Sequence, residues 1–277
     1  MRYLPIAILL CGLLPGQGNE SWRRPFPPHR IAGNLYYAGT EDLACFLIAT
    51  PRGHILINTG LAGSTPLIRA SMRTLGYRLE DVKILLTMQA HFDHVAAMKE
   101  VQEISHARVF ATEADAPVLE DGGRSDPYFG KAQWFAPVKV DRRLRDGEVI
   151  GLGGTELTVM TTPGHTKGSV SYRMTVMDQG RKLSVAIVNL NSVVMPLVGN
   201  SKYPRIVADY EESFARQKAL TPDIWVAGHA SQYNMQAKWK AGSFVDPEGY
   251  QRAIAEYERA FRARLAEESG GAGGSRR

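Results

Sequence analysis

Residues 87–94 read Thr87-Met88-Gln89-Ala90-His91-Phe92-Asp93-His94 and follow an apolar run that is typical of a buried strand. Gln89 and His91 are two residues apart, so an extended chain directs both side chains to the same side. Asp93 and His94 follow where the pattern turns into a helix, which aims them in other directions. Because imidazole and carboxylate are both zinc ligands, this one segment can supply ligands to two neighbouring metal ions.

Two more polar segments, 162–169 and 227–232, also follow apolar runs; the first contains His165 and the second contains His229. Loops after strands present side chains on a rigid base, and buried charge is costly unless it is paired or bound to metal. A catalytic zinc takes about three protein ligands and keeps one position open. Six candidate donors therefore predict one or two zinc ions, held by Gln89, His91, Asp93, His94, His165 and His229.

The other histidines and the cysteines show no metal-site spacing. His29, His54 and His106 are isolated in the sequence, and we interpret them as packed or exposed structural residues. Cys45 lies in an apolar stretch and is expected to behave as a small buried hydrophobic residue. Cys11 falls within a predicted export signal, so the mature chain has no partner for a disulfide framework.

Apolar runs and their spacing predict an α/β fold. Strands are expected over 34–37, 43–50, 54–58, 82–88, 157–160, 170–176, 183–188 and 224–227. Helices are expected over 64–76, 94–101, 213–220 and 250–265. The turn residues 51–53 predict a hairpin between the second and third strands. Runs of strands separated by helices predict two sheets packed face to face with helices outside.

Composition and charge limit the classes of protein. Hydrophobic residues make up 44% and charged residues 22%, which excludes a disordered chain. The formal net charge is +5, but the basic residues are scattered among acidic ones and form no dense cluster. We therefore expect no nucleic-acid partner. A small-molecule substrate is the partner that the histidine cluster favours.

The termini carry their own patterns. Residues 1–18 combine a basic start with an apolar run too short to span a bilayer, which predicts a signal peptide, a periplasmic protein and no membrane contact after cleavage. The cleavage position stays open. We expect an irregular arm over 19–30, one domain over 31–268 and a disordered tail over 269–277.

The segment 87–94 resembles the H-x-H-x-D-H signature of the metallo-β-lactamase superfamily, with Gln89 in place of the first histidine. Residues 31–37 and 163–169 are similar to the third subclass of class B β-lactamases, and the glutamine is similar to the GOB-type branch of that subclass. The resemblance runs from about residue 31 to residue 250.

This resemblance implies an αββα four-layer sandwich, the metallo-β-lactamase fold, with the metal ions at one edge of the sheets. It also implies one zinc held by Gln89, His91 and His165, and a second held by Asp93, His94 and His229. Asp93, His91 and His165 are the implied catalytic residues.

Two positions depart from the superfamily pattern. Many superfamily hydrolases place a bridging aspartate after the strand that here ends at residue 188, and Leu190 falls at that place. Leucine cannot bind metal. Residues 58–60 read Asn58-Thr59-Gly60, where the superfamily often has Asp-Thr-Gly at a position that is usually structural.

The expected activity is zinc-dependent opening of the β-lactam ring by metal-bound hydroxide, acting on penicillins, cephalosporins and carbapenems and so conferring antibiotic resistance. Ser192 and Lys167 are candidate contacts for the substrate carboxylate, although a solvent-facing position suits Lys167 equally. The alternatives are a glyoxalase II-like thioesterase, a lactonase, or a zinc-binding non-enzyme on the same scaffold. Substrate preference, zinc occupancy and oligomeric state stay open.

Overall fold

Two mixed β-sheets lie at the centre of the computed structural model, which describes residues 19–273. From one edge to the other, the first sheet contains β1 (His29–Ala32), β2 (Leu35–Tyr37), β3 (Phe46–Thr50), β4 (Gly53–Ile57), β5 (Val82–Leu86), β6 (Arg108–Thr112) and β7 (Arg142–Leu144). The second sheet contains β8 (Val149–Leu152), β9 (Thr155–Thr161), β10 (Val170–Asp178), β11 (Arg181–Val188) and β12 (Ile224–Ala227) in that spatial order.

Helices flank the two sheets. They are α1 (Thr65–Thr74), α2 (Phe92–Val95), α3 (Met98–Ser105), α4 (Ala116–Glu120), α5 (Ile206–Lys218), α6 (Met235–Ala241) and α7 (Pro247–Gly273). One cluster of buried side chains joins both sheets to α5 and α7, and includes Phe46, Tyr172 and Phe261. A second cluster packs the first sheet against α1 and α3, and includes Met72 and Val101. The predicted αββα sandwich is confirmed: the two sheets pack face to face over the main core, and helices flank them.

Strand direction explains why the polar segments meet. The turn at 51–53 joins β3 and β4 as the predicted antiparallel hairpin. From β4 to β7 the strands pair in parallel, and β11 pairs in parallel with β12. Ligand sites of open α/β sheets lie beyond the carboxyl ends of parallel strands. Because β10 is antiparallel to both β9 and β11, strands β9, β11 and β12 run in the same direction. The polar segments that follow β9 and β12 therefore start from the same edge of the second sheet, and the first polar segment starts from the carboxyl end of β5 in the first sheet.

Several predicted boundaries are wrong. The helix expected over 94–101 is divided into α2 and α3, and the helix expected over 213–220 begins at Ile206. The segment 19–30 contains a short 3-10 helix, Glu20–Trp22, and the first residues of β1. The closing helix α7 ends at Gly273. The division into an arm over 19–30, a domain over 31–268 and a tail over 269–277 stays a prediction. Amphipathic patterns locate the packed face of a helix, whereas helix ends depend on tertiary contacts.

The predicted signal peptide at 1–18 lies outside the described residues. Within the part of the chain that the structure describes, no helix is long and apolar enough to cross a bilayer.

Asn58 connects three segments at the end of β4. Its backbone is left-handed, with φ of 63°, and its side chain is fully buried. The side-chain Oδ1 accepts a hydrogen bond from Met88 N at 3.0 Å, while Nδ2 donates to Ala44 O at 3.3 Å. Asparagine is among the few residues that tolerate this backbone conformation. The structural role expected for this position fits these contacts.

Candidate metal centre

The three polar loops meet at one edge of the sandwich. Segment 87–91 leaves β5 and enters α2, whose N-cap is His91. The loop 162–169 joins β9 to β10, and Val170 N donates to Met88 O at 2.9 Å, which ties this loop to the first. His229 follows β12 and forms an isolated antiparallel bridge with Leu43. The structure thus brings all six predicted ligands to one edge.

Asp93, His94 and His229 form a compact group that we call the acidic half of the centre. One ligand atom from each residue lies within 4.8 Å of the others. Asp93 Oδ2 is 3.3 Å from His94 Nε2 and 3.4 Å from His229 Nε2. His94 Nε2 is buried and has no hydrogen-bond partner among the described residues. Such a donor set fits a divalent cation.

Charge in this half supports the same interpretation. Burial raises the pKa of Asp93, but the neighbouring His94 and His229 outweigh burial and hold the pKa well below its ordinary value. Burial lowers the pKa of His229, but the carboxylates of Asp42 and Asp93 raise it to about 9. The protein alone therefore places a proton near the buried carboxylate. A bound cation would supply the same compensating positive charge.

The other three predicted ligands are Gln89, His91 and His165, which together we call the neutral half. His91 Nδ1 and His165 Nε2 lie 3.1 Å apart, so both rings aim a nitrogen at one point. Burial lowers the pKa of both histidines, to about 4 for His165. Gln89 Oε1 is buried and has no hydrogen-bond partner in the described range. Two neutral imidazole nitrogens and an amide oxygen without a hydrogen-bond partner are suited to coordinate a metal ion.

Oxygen atoms outside the donor set orient three of the rings. His165 Nδ1 lies 2.8 Å from Ser192 O; since a carbonyl only accepts, this nitrogen carries the proton and Nε2 keeps its lone pair. His229 Nδ1 lies 3.2 Å from Asp42 Oδ2. Carboxylates and carbonyls commonly hold metal-binding histidines in this way.

A third oxygen faces His91, whose Nε2 lies 3.4 Å from Asp126 Oδ2. Asp126 Oδ1 also accepts hydrogen bonds from the backbone of Tyr128 and Phe129. The Phe129 ring then packs edge-on against the His91 ring, with centroids 4.7 Å apart. The loop that carries Asp126 therefore packs against the outer side of this ligand.

A buried carboxylate, Asp115, connects the two loops of the neutral half. It accepts hydrogen bonds from Ala90 N, Thr166 Oγ1 and Gly168 N at 2.8–2.9 Å. Burial raises its pKa to about 6, although the three donors act in the opposite direction. Sequence analysis missed Asp42, Asp115 and Asp126, because none of them lies in a motif; only the folded chain brings them to the ligands.

The two candidate substrate contacts lie in different surroundings. Ser192 Oγ is 3.1 Å from His165 Nδ1, directly beside the neutral half. Lys167 is exposed, and its ammonium lies 5.7 Å from the centre of the Tyr203 ring. Leu190 is 3% exposed and packs in the main core.

The remaining histidines lie elsewhere in the fold. His29 stacks between Tyr37 and Phe244, His54 packs edge-on against Tyr77, and His106 is the left-handed C-cap of α3. These contacts fit the structural roles that the sequence predicted for them.

Comparison with known proteins identifies the family. A family model described as the metallo-beta-lactamase superfamily matches residues 40–176. The metallo-beta-lactamase GOB-18 from Elizabethkingia meningoseptica is 40% identical, with a TM-score of 0.88 over 91% of this chain and 97% of that one. The class B3 di-zinc metallo-beta-lactamase LRA-12 from an Alaskan soil metagenome is 43% identical, with a TM-score of 0.87 over 91% and 98%. This chain belongs to the metallo-β-lactamase superfamily, and its predicted resemblance to the third subclass is confirmed.

Curated relatives match at lower identity. A hydroxyacylglutathione hydrolase from Rhodopseudomonas palustris is 28% identical over 179 residues, which is 64% of this chain and 58% of that protein. The matches span 58–62% of the length of the first curated relatives. The family thus includes β-lactamases and hydroxyacylglutathione hydrolases.

Proposed function

We propose that this chain is a zinc-dependent hydrolase that opens the amide bond of β-lactam rings. The observation that carries the proposal is the pairing of an acidic half with a neutral half at one edge of the sheets. Each half offers three ligands, as a catalytic zinc requires. The likeness to lactamase structures extends over about nine-tenths of the chain, whereas the hydroxyacylglutathione hydrolase match covers 64%.

The chemistry divides between the metal and the chain. Zinc, when bound, lowers the pKa of a coordinated water from 15.7 to about 7 and polarises a carbonyl oxygen. Asp93 has two carboxylate oxygens, so it can hold the attacking water by a hydrogen bond while it also binds metal. His91 and His165 stay neutral because burial lowers their pKa values, and so they act as ligands and not as proton donors.

Leu190 favours a lactamase over a thioesterase or lactonase. Those relatives use a bridging carboxylate at this place, and a buried leucine has no oxygen to offer. The two halves therefore stay separate three-ligand sets. Both halves are complete, which also argues against a non-enzyme that has lost its site.

Substrate carboxylate recognition falls to Lys167 and Ser192 in this proposal. Lys167 lies two residues after the ligand His165 and projects an exposed ammonium. Ser192 places its hydroxyl beside the same ligand. A cation and a hydroxyl on this side suit the carboxylate that β-lactams carry. An export signal at 1–18 would place the enzyme in the periplasm, where these antibiotics meet their targets.

The test is the loss of lactam-ring absorbance in the presence of the zinc-loaded protein. We expect turnover of a penicillin, a cephalosporin and a carbapenem, insensitivity to clavulanate, and loss of turnover after chelation. Thioester and lactone substrates are assayed in parallel with the same preparation. Hydrolysis of a thioester or lactone, with every β-lactam opened only at the buffer rate, would overturn the proposal in favour of the rival hydrolases.

A further inference from the structure

Asp115 occupies an unusual position between the two ligand-bearing loops. It lies just after β6, on neither loop, and is 3% exposed. Its Oδ2 accepts from Ala90 N at 2.9 Å and from Thr166 Oγ1 at 2.8 Å, and its Oδ1 accepts from Gly168 N at 2.9 Å. One carboxylate therefore holds both loops.

Each of these donors is next to, or close to, a proposed zinc ligand. Ala90 lies between Gln89 and His91, and Thr166 directly follows His165. The carboxylate thus fixes the backbone from which all three ligands of the neutral half project. Hydrogen bonds to an ionised acceptor are roughly twice as strong as neutral ones.

The packing at Gly168 shows how closely the second loop approaches this point. A Cβ atom on Gly168 would lie 2.5 Å from Asp115 N and 2.6 Å from Asp115 Cγ. Thr112 Oγ1 also donates to Gly168 O at 2.7 Å. Only glycine fits here, so the end of β6 acts as a fixed support for the turn after His165.

Other contacts between the loops do not replace this one. The bond from Val170 N to Met88 O joins the loops where they leave their strands. The contact between His91 Nδ1 and His165 Nε2 at 3.1 Å joins ring atoms and does not fix the backbone. Asp115 alone, among the contacts described above, joins the backbone beside Gln89 and His91 to the backbone beside His165.

We propose that Asp115 is a positioning residue that preforms the neutral half by fixing its two loops relative to each other. The inference rests on the proposed zinc centre, but it does not depend on the identity of the substrate. Asp115 touches neither ion nor substrate in this role. Its loss should weaken zinc binding in the neutral half and leave the acidic half unchanged.

The test compares Asp115→Asn with Asp42→Asn in the full chain. Asparagine keeps the shape but replaces one accepting oxygen with an NH2 group, which must then face an N–H or O–H donor. Asp42 is a matched control because it is also a carboxylate outside the ligand set, partly buried with a side chain 13% exposed, but it contacts His229 in the acidic half. The variant Gln89→His changes a proposed ligand of the neutral half only. The zinc-binding constant that changes in this variant is therefore the constant of the neutral half.

Zinc constants come from titration against a chromophoric chelator, and cobalt spectra report each half separately. We expect Asp115→Asn to weaken zinc binding in the neutral half by roughly 10- to 100-fold, as for other outer-shell residues. The zinc constant of the acidic half should stay within about twofold of its wild-type value. Asp42→Asn should do the reverse. Equal weakening of both constants by Asp115→Asn, or no change in either, would overturn the inference.

Thermal unfolding of the chelator-stripped proteins separates positioning from general stability. If Asp115→Asn does not fold, Thr166→Val removes one of the three donors to Asp115, together with the contact to Ser169 Oγ. It should weaken the same constant by about threefold to tenfold; an unchanged constant then overturns the inference. Wild-type protein that binds zinc in both halves but opens no β-lactam would contradict the proposed function and leave this inference standing.

Discussion

The acidic and neutral halves differ in how they would hold an ion. The acidic half contains a carboxylate whose two histidine neighbours lie within 3.4 Å of it. The neutral half has no formal charge, and its ligands are held by oxygens outside the donor set. In the acidic half, Coulomb attraction contributes directly to the free energy of metal binding. In the neutral half, more of that free energy must come from preorganisation of the ligands. The comparison shows that similar ligand counts can reach affinity by different means.

Chelation tests both halves at once and should have the largest effect. Purified protein prepared with zinc should hold about one to two ions per chain, and chelator should abolish hydrolysis because both halves lose their ion. Elemental analysis and the lactam absorbance assay measure this together. Protein without tightly held transition metal after zinc-supplemented preparation would remove the basis of the comparison.

Asp93→Ala tests the acidic half. The substitution removes a ligand, the negative charge and the group proposed to hold the attacking water, so activity should fall by more than the roughly 100-fold typical of outer-shell changes. Steady-state kinetics with a cephalosporin measure the loss. His106→Asn is the control, because asparagine tolerates the left-handed backbone at that exposed position. A comparable loss from the control, with folding intact, would contradict the ligand assignment.

Gln89→His tests the neutral half. Imidazole is a better zinc ligand than an amide oxygen, so zinc binding there should tighten by about tenfold, or ~1.4 kcal/mol. Competition titration of both proteins decides the outcome. Binding that is equal or looser in the variant would show that Gln89 is not the weak element of this half.

Glu268→Gln should have the smallest effect. Glu268 Oε2, near the end of α7, accepts hydrogen bonds from Leu197 N at 2.6 Å and Val198 N at 2.9 Å. These residues lie in the segment after Ser192, whose carbonyl orients His165. Loosening this segment should raise KM for β-lactams about threefold and leave kcat nearly unchanged, because a glutamine amide oxygen still accepts from both N–H groups and only the charge is lost.

Kinetics on several β-lactams check that split between KM and kcat. Glu267→Gln, at the neighbouring and more exposed position, is the matched control. A change in kcat as large as the change in KM would mean that Glu268 acts on the metal centre itself.

Sequence patterns point to the proposed ligands but not to the residues that hold them. Gln89, His91 and Asp93 lie in one short segment, so their ligand types and their spacing can be recognised in the linear sequence. Asp42 and His229 are 187 residues apart in the chain and meet where Leu43 bridges to His229. No local pattern encodes such a contact, since tertiary packing creates it.

The same reasoning explains the missed and misplaced elements. Buried strands such as β5 and β12 were predicted from their apolar runs. β7 reads Arg142-Arg143-Leu144 and has no apolar run, so no sequence pattern predicts it. β6 reads RVFAT and is almost continuously buried, but it is absent from the predicted strands. The start of α5 was also missed, because Arg205 forms no side-chain cap there.

Asn58 bears on how this sequence has diverged. Its amide donates to Ala44 O, which an aspartate could not do, and a carboxylate would instead oppose that carbonyl. The residue that relatives often carry at this position would therefore not be neutral here. The substitution Asn58→Asp is expected to be epistatic: aspartate is tolerated in relatives that carry it and costly in this chain. Ancestral or consensus reconstructions of this enzyme should treat residues 44, 58 and 88 as a linked set.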